Sequence, residues 1–292
     1  MCTTCGCSSH EDGVSITRIG GQHQTEHDHQ HLSGWQRFWH FLWNGPHQHG
    51  AIDAPPLAPA GEKKTIQLEQ DILSKNNQSA QRNRGYFEAK NILALNLVSS
   101  PGSGKTSLLE RTLHDLHQKD AFYVIEGDQQ TTQDADRIAA TGVPVVQINT
   151  GQGCHLDAEM VYRALRELQP DNNAVVMIEN VGNLVCPALF DLGESARVVI
   201  ISVTEGDDKP IKYPDMFHSA QLCLINKIDL LPYVNFSVSR AKDFAQRVNP
   251  TLEFIEVSAT TGEGMENWYH WLSNRPRLAE NIGQSASFSI VS

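Results

Sequence analysis

Between Leu95 and Thr106 the chain reads LNLVSSPGSGKT, the stretch that most narrows the choice of fold. The apolar run Ile92 to Val98 predicts a strand, which breaks into a turn of serine, proline and glycine ending in Gly104-Lys105-Thr106. From Ser107 to Leu116 the apolar spacing suits a helix. A strand, a glycine turn and a helix start in that order make a phosphate cradle. Successive backbone N–H groups converge on the anion, and the helix dipole adds positive potential. Gly102, Ser103, Gly104, Lys105, Thr106 and Ser107 are the candidate phosphate-binding residues. Lys105 can reach the β- and γ-phosphates, and the Thr106 hydroxyl can ligate Mg²⁺. Ser99 stands where the pattern usually has its first glycine, so the motif reads S-x-x-G-x-G-K-T.

Around this turn, apolar runs and helical patterns alternate. Strands are expected at Ala121 to Ile125, Val143 to Ile148, Ala174 to Ile178, Val198 to Val203, Leu222 to Ile225 and Phe254 to Val257. Helices are expected from Lys64 to Lys90 and at Asp134 to Ala140, Ala158 to Leu168, Ser239 to Val248 and Met265 to Leu272. Continuous apolar strands are what a parallel sheet covered on both faces requires. The fold class is α/β: a P-loop NTPase with a mostly parallel sheet flanked by helices, over residues 64–275. Residues 1–60 read as a mobile Cys/His-rich arm with few periodic apolar positions, and 276–292 as a loose tail. Within the arm, Trp35, Phe38, Trp39 and Leu42 fall at helical spacing, and such a helix would dock on the protein's own core.

Asn226-Lys227-Ile228-Asp229 closes a later strand. The Asp229 carboxylate can accept N1–H and the 2-amino group of guanine, whereas adenine lacks that amino group and would leave it unpaired. Ser258 and Ala259, after the last strand, fit the backbone behind the base, so the nucleotide is expected to be GTP. Glu126-Gly127-Asp128 and Glu179-Asn180-Val181-Gly182 are the expected γ-phosphate-sensing loops, Gly182 through its backbone N–H. Lys105, Asp128 and Glu179 are the candidate catalytic residues. Thr106, Asp128 and Glu179 are the candidate Mg²⁺ ligands. Asn183, rather than a glutamine, follows Gly182, which implies slow intrinsic turnover.

Sulfur and imidazole form a third signal. Cys2, Cys5 and Cys7 make C-x-x-C-x-C, three thiolates able to wrap one ion, with the α-amine of Cys2 a fourth donor if Met1 is removed. Three thiolates and an amine can form a square plane, which favours Ni²⁺ or Cu²⁺ over Zn²⁺. Gly151-Gln152-Gly153-Cys154-His155 and Cys186 provide a second candidate site, Cys154, His155 and Cys186, at the carboxyl edge where such sheets bind ligands. Cys223, inside an apolar strand, reads as a small buried hydrophobe.

The formal charge of −11 argues against nucleic-acid or anionic-membrane partners, which need a basic face. No apolar run approaches the ~18 residues of a membrane span. The cysteine pattern does not suit a disulfide scaffold, so the cytoplasm is the expected compartment.

The motifs MCTTCGC, NLVSSPGSGKT, EGDQQT, NTGQGCHLDA, IENVGNLVCP, SVTEGDDKPIKYP, NKIDLLPY and SATTGEGM together resemble the hydrogenase nickel-incorporation GTPases, the HypB family of SIMIBI-class P-loop NTPases. The resemblance implies GTP hydrolysis to GDP and phosphate, and nickel delivery during maturation of nickel–iron hydrogenase. It implies nickel at Cys2, Cys5 and Cys7, and nickel or zinc at Cys154, His155 and Cys186. The implied partners are a second copy in a nucleotide- or metal-linked homodimer, a small zinc-containing nickel metallochaperone, the hydrogenase large-subunit precursor and a His-rich prolyl isomerase. A urease-type nickel-insertion GTPase is the alternative, which C-x-x-C-x-C and the NLVCP cysteine disfavour. A nickel storage protein with little GTPase activity is another. A P-loop kinase or ATP-driven ligase would lack NKID.

Overall fold

The computed structural model describes residues 14–19, 60–129 and 133–275, the side chains of 60–69 excepted. Cys2, Cys5 and Cys7, the Trp35–Trp43 cluster and the tail from Pro276 lie outside the described residues. Residues 14–19 and 70–275 belong to one compact unit.

In chain order the elements are β1 (Ser15–Ile19), α1 (Ala60–Ala89), β2 (Leu93–Ser99), α2 (Lys105–Leu116), β3 (Phe122–Asp128), α3 (Gln133–Ala139), β4 (Val145–Asn149), α4 (Ala158–Leu168), β5 (Val175–Glu179), β6 (Ala196–Ser202), α5 (Lys209–Lys212), α6 (Pro214–Ser219), β7 (Leu222–Asn226), α7 (Val238–Val248), β8 (Glu253–Glu256) and α8 (Met265–Ser273). The sheet runs β1-β4-β3-β5-β2-β6-β7-β8. Among the described residues seven strands are parallel, and β1 alone pairs antiparallel, with β4.

Every strand expected from the apolar runs forms, within a few residues. Their pattern explains the two-sided cover. Along β2, Leu93, Leu95 and Leu97 join Leu109, Leu113, Trp268 and Leu272 on one face. Ala94 faces Phe87, Val161 and Leu165 on the other. Alternation with both sides apolar leaves helices on both faces as the way to remove the sheet from water. Inside the first face, the Trp268 indole N–H donates to Thr112 Oγ1 at 2.9 Å, which satisfies the one polar group of a ring 1 % exposed.

β1 corrects the reading of residues 1–60 as arm throughout. Ser15–Ile19 pairs with Asn149–Val145, and Ile16 packs beside the cluster of Val146 and Ile148. The signal was a brief period-2 run, VSITRI, bounded by Gly13 and Gly20. An edge strand that gains its stability from a partner distant in sequence carries little local information. Two short helices, α5 and α6, were also not expected; each carries proline in its first turn.

α1 meets the start of α4 and the loop before β6 through polar side chains, as well as packing Phe87 into the core. Asn83, fully buried, donates to the carbonyls of Ala158 and Leu192, and Asn76 donates to that of Asp191. Gly193 sits at φ +86°, where an added Cβ would lie 2.5 Å from the Ala80 carbonyl oxygen. Helix and loop therefore touch backbone to backbone.

Candidate functional site

The parallel strands all point their carboxyl ends to one edge, and the candidate nucleotide-site residues and Cys154, His155 and Cys186 follow those ends. β2 ends at Ser99, and the turn rises into α2, whose first residue is Lys105. Gly102 and Gly104 take positive φ, 76° and 90°, and Ser99 does not, which is why serine serves at the first motif position. A Cβ on Gly104 would lie 2.5 Å from Asn226 Nδ2. That amide is the clamp: it donates to the Ser103 carbonyl at 2.9 Å, while Lys227 Nζ donates to the Gly102 carbonyl at 2.7 Å. The guanine motif thus holds the phosphate loop directly.

Lys105 Nζ lies 3.1 Å from Glu179 Oε1, and the Thr106 hydroxyl donates to the same oxygen at 2.7 Å. Strand register brings a further carboxylate beside Glu179, because Glu126 of β3 is its neighbour on β5. Both are 1–2 % exposed, and Oε2 of each is buried without a hydrogen-bond partner among the described residues. Burial, then repulsion from Glu179 and Asp128, pushes the Glu126 carboxyl up to about 9. A hydroxyl with clustered, under-satisfied carboxylates is a hard oxygen donor set that fits Mg²⁺. Asp128 and Glu179 are the last residues of β3 and β5, and the loops begin after them.

Asp229 accepts from Ser258 Oγ at 2.6 Å, and the Ala259 N–H donates to Asn226 Oδ1 at 3.3 Å. The two base-side motifs are thereby stitched together. Lys227 adopts φ +62°, the left-handed conformation that turns its side chain back over the phosphate loop.

Sequence reasoning assigned no role to Glu205 and Lys209, within the TEGDDK run after β6. Ser103 Oγ donates to Glu205 Oε1 at 2.5 Å. Lys209 donates to Ser100 Oγ at 2.8 Å and lies 3.3 Å from Glu205 Oε2. Three acids and a lysine just past a strand end were the available signal, but nothing local says that Glu205 and Lys209 face the phosphate turn.

At the same edge, ligand atoms of Cys154, His155 and Cys186 lie within 4.8 Å of one another, all half-buried. Burial pushes the His155 imidazole below its usual value, against a smaller pull from Asp157, and so favours the neutral ligating form. Two thiols and an imidazole suit nickel or zinc. By contrast, burial pushes the Cys223 thiol up, as befits a core residue.

The metal-type site and the nucleotide site share segments. A Cβ on Gly182 would come within 3.2 Å of Pro101 in the phosphate loop. The next residue, Asn183, donates to the Cys154 carbonyl at 3.3 Å. On the other side, the Thr150 N–H donates to the Asp128 carbonyl at 2.8 Å, and its hydroxyl to the Gly153 carbonyl at 2.8 Å.

Residues 93–256 match the family model of the CobW/HypB/UreG nucleotide-binding domain. Hydrogenase maturation factor HypB of Azotobacter vinelandii is 52% identical over 289 residues, covering 94% of this chain and 92% of that one. The crystal structure of HypB from Archaeoglobus fulgidus superposes with a TM-score of 0.65 at 40% identity, over 68% of this chain and 98% of that one. HypB from Helicobacter pylori, solved in complex with nickel, gives a TM-score of 0.65 at 39% identity, over 70% of this chain and 95% of that one. With the phosphate loop, the guanine-type motif and the cysteine–histidine cluster on one sheet edge, the chain belongs to the HypB family of hydrogenase maturation factors.

Proposed function

We propose that this protein is a GTP-hydrolysing nickel metallochaperone of the cytoplasm that inserts nickel during maturation of a nickel–iron hydrogenase. The observation that carries it is the continuity of the two sites: Gly182 lies against Pro101 of the phosphate loop, and Cys186 is only four residues further on. Four residues reach at most about 14 Å when extended. A segment ordered by γ-phosphate and relaxed after hydrolysis would therefore move a metal ligand.

In this reading, Asp229 selects guanine while Ser258 and Ala259 back the base. The backbone of Gly102 to Ser107 and the Lys105 ammonium hold the phosphates. Thr106, Asp128 and Glu179 would hold Mg²⁺, which neutralises charge on the transferring phosphoryl group. Water attacks the γ-phosphorus, the bond to the β-phosphate oxygen breaks, and GDP and phosphate leave. Both ends of the Asn183 amide are engaged, with the Cys154 carbonyl and the Val185 N–H, which supports slow turnover. Cys2, Cys5 and Cys7 bind nickel, and Cys154, His155 and Cys186 bind nickel or zinc. Three ligands per chain leave a position for water, a second subunit of the homodimer or a receiving protein. The partners are a small zinc-containing nickel metallochaperone, the hydrogenase large-subunit precursor and a His-rich prolyl isomerase.

The test is a Ni²⁺ titration of protein lacking residues 2–7, with GDP or a non-hydrolysable GTP analogue bound. A coupling of ~1–3 kcal/mol, or roughly 5–150-fold in affinity, is expected between the two states. Cys186→Ala should abolish the difference. Equal nickel affinities in both states would reject nucleotide gating.

A further inference from the structure

Beneath the Cys154/His155/Cys186 cluster runs a buried polar chain with one end at each ligand-bearing loop. At one end, the N–H of Leu156, the residue after His155, donates to Asn180 Oδ1 at 3.1 Å. Asn180 Nδ2 donates to Asn96 Oδ1 at 3.2 Å, and Asn96 Nδ2 to Glu194 Oε1 at 3.1 Å. Glu194 pairs with Arg197 at 2.9 Å, their side chains 7 % and 6 % exposed. At the other end, Arg197 Nη1 donates to the Ala188 carbonyl at 3.0 Å and Nη2 to the Phe190 carbonyl at 2.8 Å. Those two carbonyls belong to the turn Cys186–Leu189 and the residue that ends it. The Phe190 ring then returns to the cluster and lies on His155, with centroids 3.9 Å apart and planes at 36°.

Arg197 uses its donors fully. Besides the two carbonyls, Nε and Nη2 reach Glu194 Oε1 at 3.1 and 2.9 Å, and Nη1 reaches Ser219 Oγ at 2.8 Å. A guanidinium has five N–H donors in a rigid plane, and all are engaged; an ammonium on one nitrogen could not span these partners. A buried ion pair is seldom retained for stability alone, since apolar residues of like volume commonly serve as well. What this pair does is fix two backbone carbonyls beside a metal ligand and link them, through Asn96 and Asn180, to the backbone beside the other two.

We propose that Asn180, Asn96, Glu194, Arg197 and Phe190 form a positioning frame that sets the spacing of Cys154, His155 and Cys186 for a soft divalent cation. The proposal rests on the reading of those three residues as a metal site. None of the frame touches the cation; Phe190 orients the imidazole, and Arg197 holds the turn that carries Cys186. Partners one shell out from a metal commonly govern its affinity in this way.

The experiment uses the full chain carrying Cys2→Ser, Cys5→Ser and Cys7→Ser, which removes the arm thiolates, and Ni²⁺ held by the arm histidines is subtracted as the background of the same chain with His155→Ala. Arg197→Lys, Phe190→Leu and Phe190→Tyr are compared for Ni²⁺ affinity, by competition with a chromophoric chelator, and for the absorption bands of bound Co²⁺. Arg197→Lys and Phe190→Leu should each weaken Ni²⁺ by about 10–100-fold and shift the Co²⁺ ligand-field bands. Phe190→Tyr, which keeps the ring, should restore both, and GDP affinity should stay at the parent value throughout. If Arg197→Lys fails to fold, the half-exposed Phe190→Leu decides the matter alone. Variants with parental GDP binding, parental Ni²⁺ affinity and unshifted Co²⁺ bands would overturn the frame. His155→Ala separates the two claims: if it too binds Ni²⁺ like the parent, the metal-site reading is what has failed.

Discussion

Among the described residues Asp229 makes one hydrogen bond, accepting from Ser258 Oγ through Oδ1 at 2.6 Å. Its second carboxylate oxygen can then take a donor from a base, with Oδ1 still able to accept another. Replacing the carboxylate by an amide turns an acceptor into a donor where guanine offers N–H groups. Asp229→Asn should weaken GTP by about a hundredfold or more, because a site built to pair with a ligand's N–H groups rejects a mismatched partner strongly. The same variant should improve xanthosine triphosphate, whose position 2 carries a carbonyl. Competition of the two nucleotides in a phosphate-release assay checks this, and unaltered GTP preference would sink the assignment of the base.

α2 and α8 are joined by more than Trp268. Asp115 of α2 accepts from Arg111 at 2.7 Å, from His114 at 2.9 Å, and from the Tyr269 hydroxyl of α8 at 2.7 Å. Burial alone would raise the carboxyl, but the hydrogen bonds from Arg111, His114 and Tyr269 outweigh it and hold Asp115 at about 2, below the usual 3.8. A carboxyl with a depressed folded-state value binds fewer protons folded than unfolded. Its contribution is thus full above pH ~4 and lost as pH falls toward ~2. With side chains 25 % and 36 % exposed, solvent screening limits the contribution of the Arg111–Asp115 pair to about 1 kcal/mol or less. Urea unfolding at pH 7 should show Asp115→Asn less stable by about that much, and the gap should close as pH falls from 4 to 2. A gap that widens in acid would contradict the assignment.

For the whole molecule, the two candidate metal-binding stretches differ in how they are built. Cys2, Cys5 and Cys7 lie within seven residues, so a peptide of the first ten residues should reproduce the arm site without the domain. It should bind Ni²⁺ with a thiolate-to-nickel charge-transfer band, and binding should weaken as pH drops, because thiols and amine must lose protons to ligate. Colourless, weak binding by that peptide would remove the arm from the nickel reading. The inner cluster cannot be reproduced by a peptide, since Cys154 and Cys186 stand on loops that follow different strands, β4 and β5. Among the described residues no helix is long and apolar enough to cross a membrane.

How much could be read in advance depended on the range of the forces. The seven parallel strands and the long helices were legible because each is written in consecutive residues: apolar runs, helical periodicity, a glycine turn before Lys105. The phosphate and guanine motifs were legible for the same reason, their chemistry being contained in a few neighbouring positions. β1 was not, because Ser15–Ile19 gains its partner from Val145–Asn149 across more than a hundred residues. Nor were Glu205 and Lys209 on the phosphate turn, the pairing of Glu126 with Glu179, or the chain from Asn180 to Arg197. Each is a contact between neighbouring strands or the segments that flank them, and strand order decides which are neighbours. Residue chemistry and spacing alone supplied the candidate ligands Cys154, His155 and Cys186. Only the fold, by setting β4, β3, β5 and β2 side by side, brings those ligands within 4.8 Å of one another and places their loops against the phosphate turn.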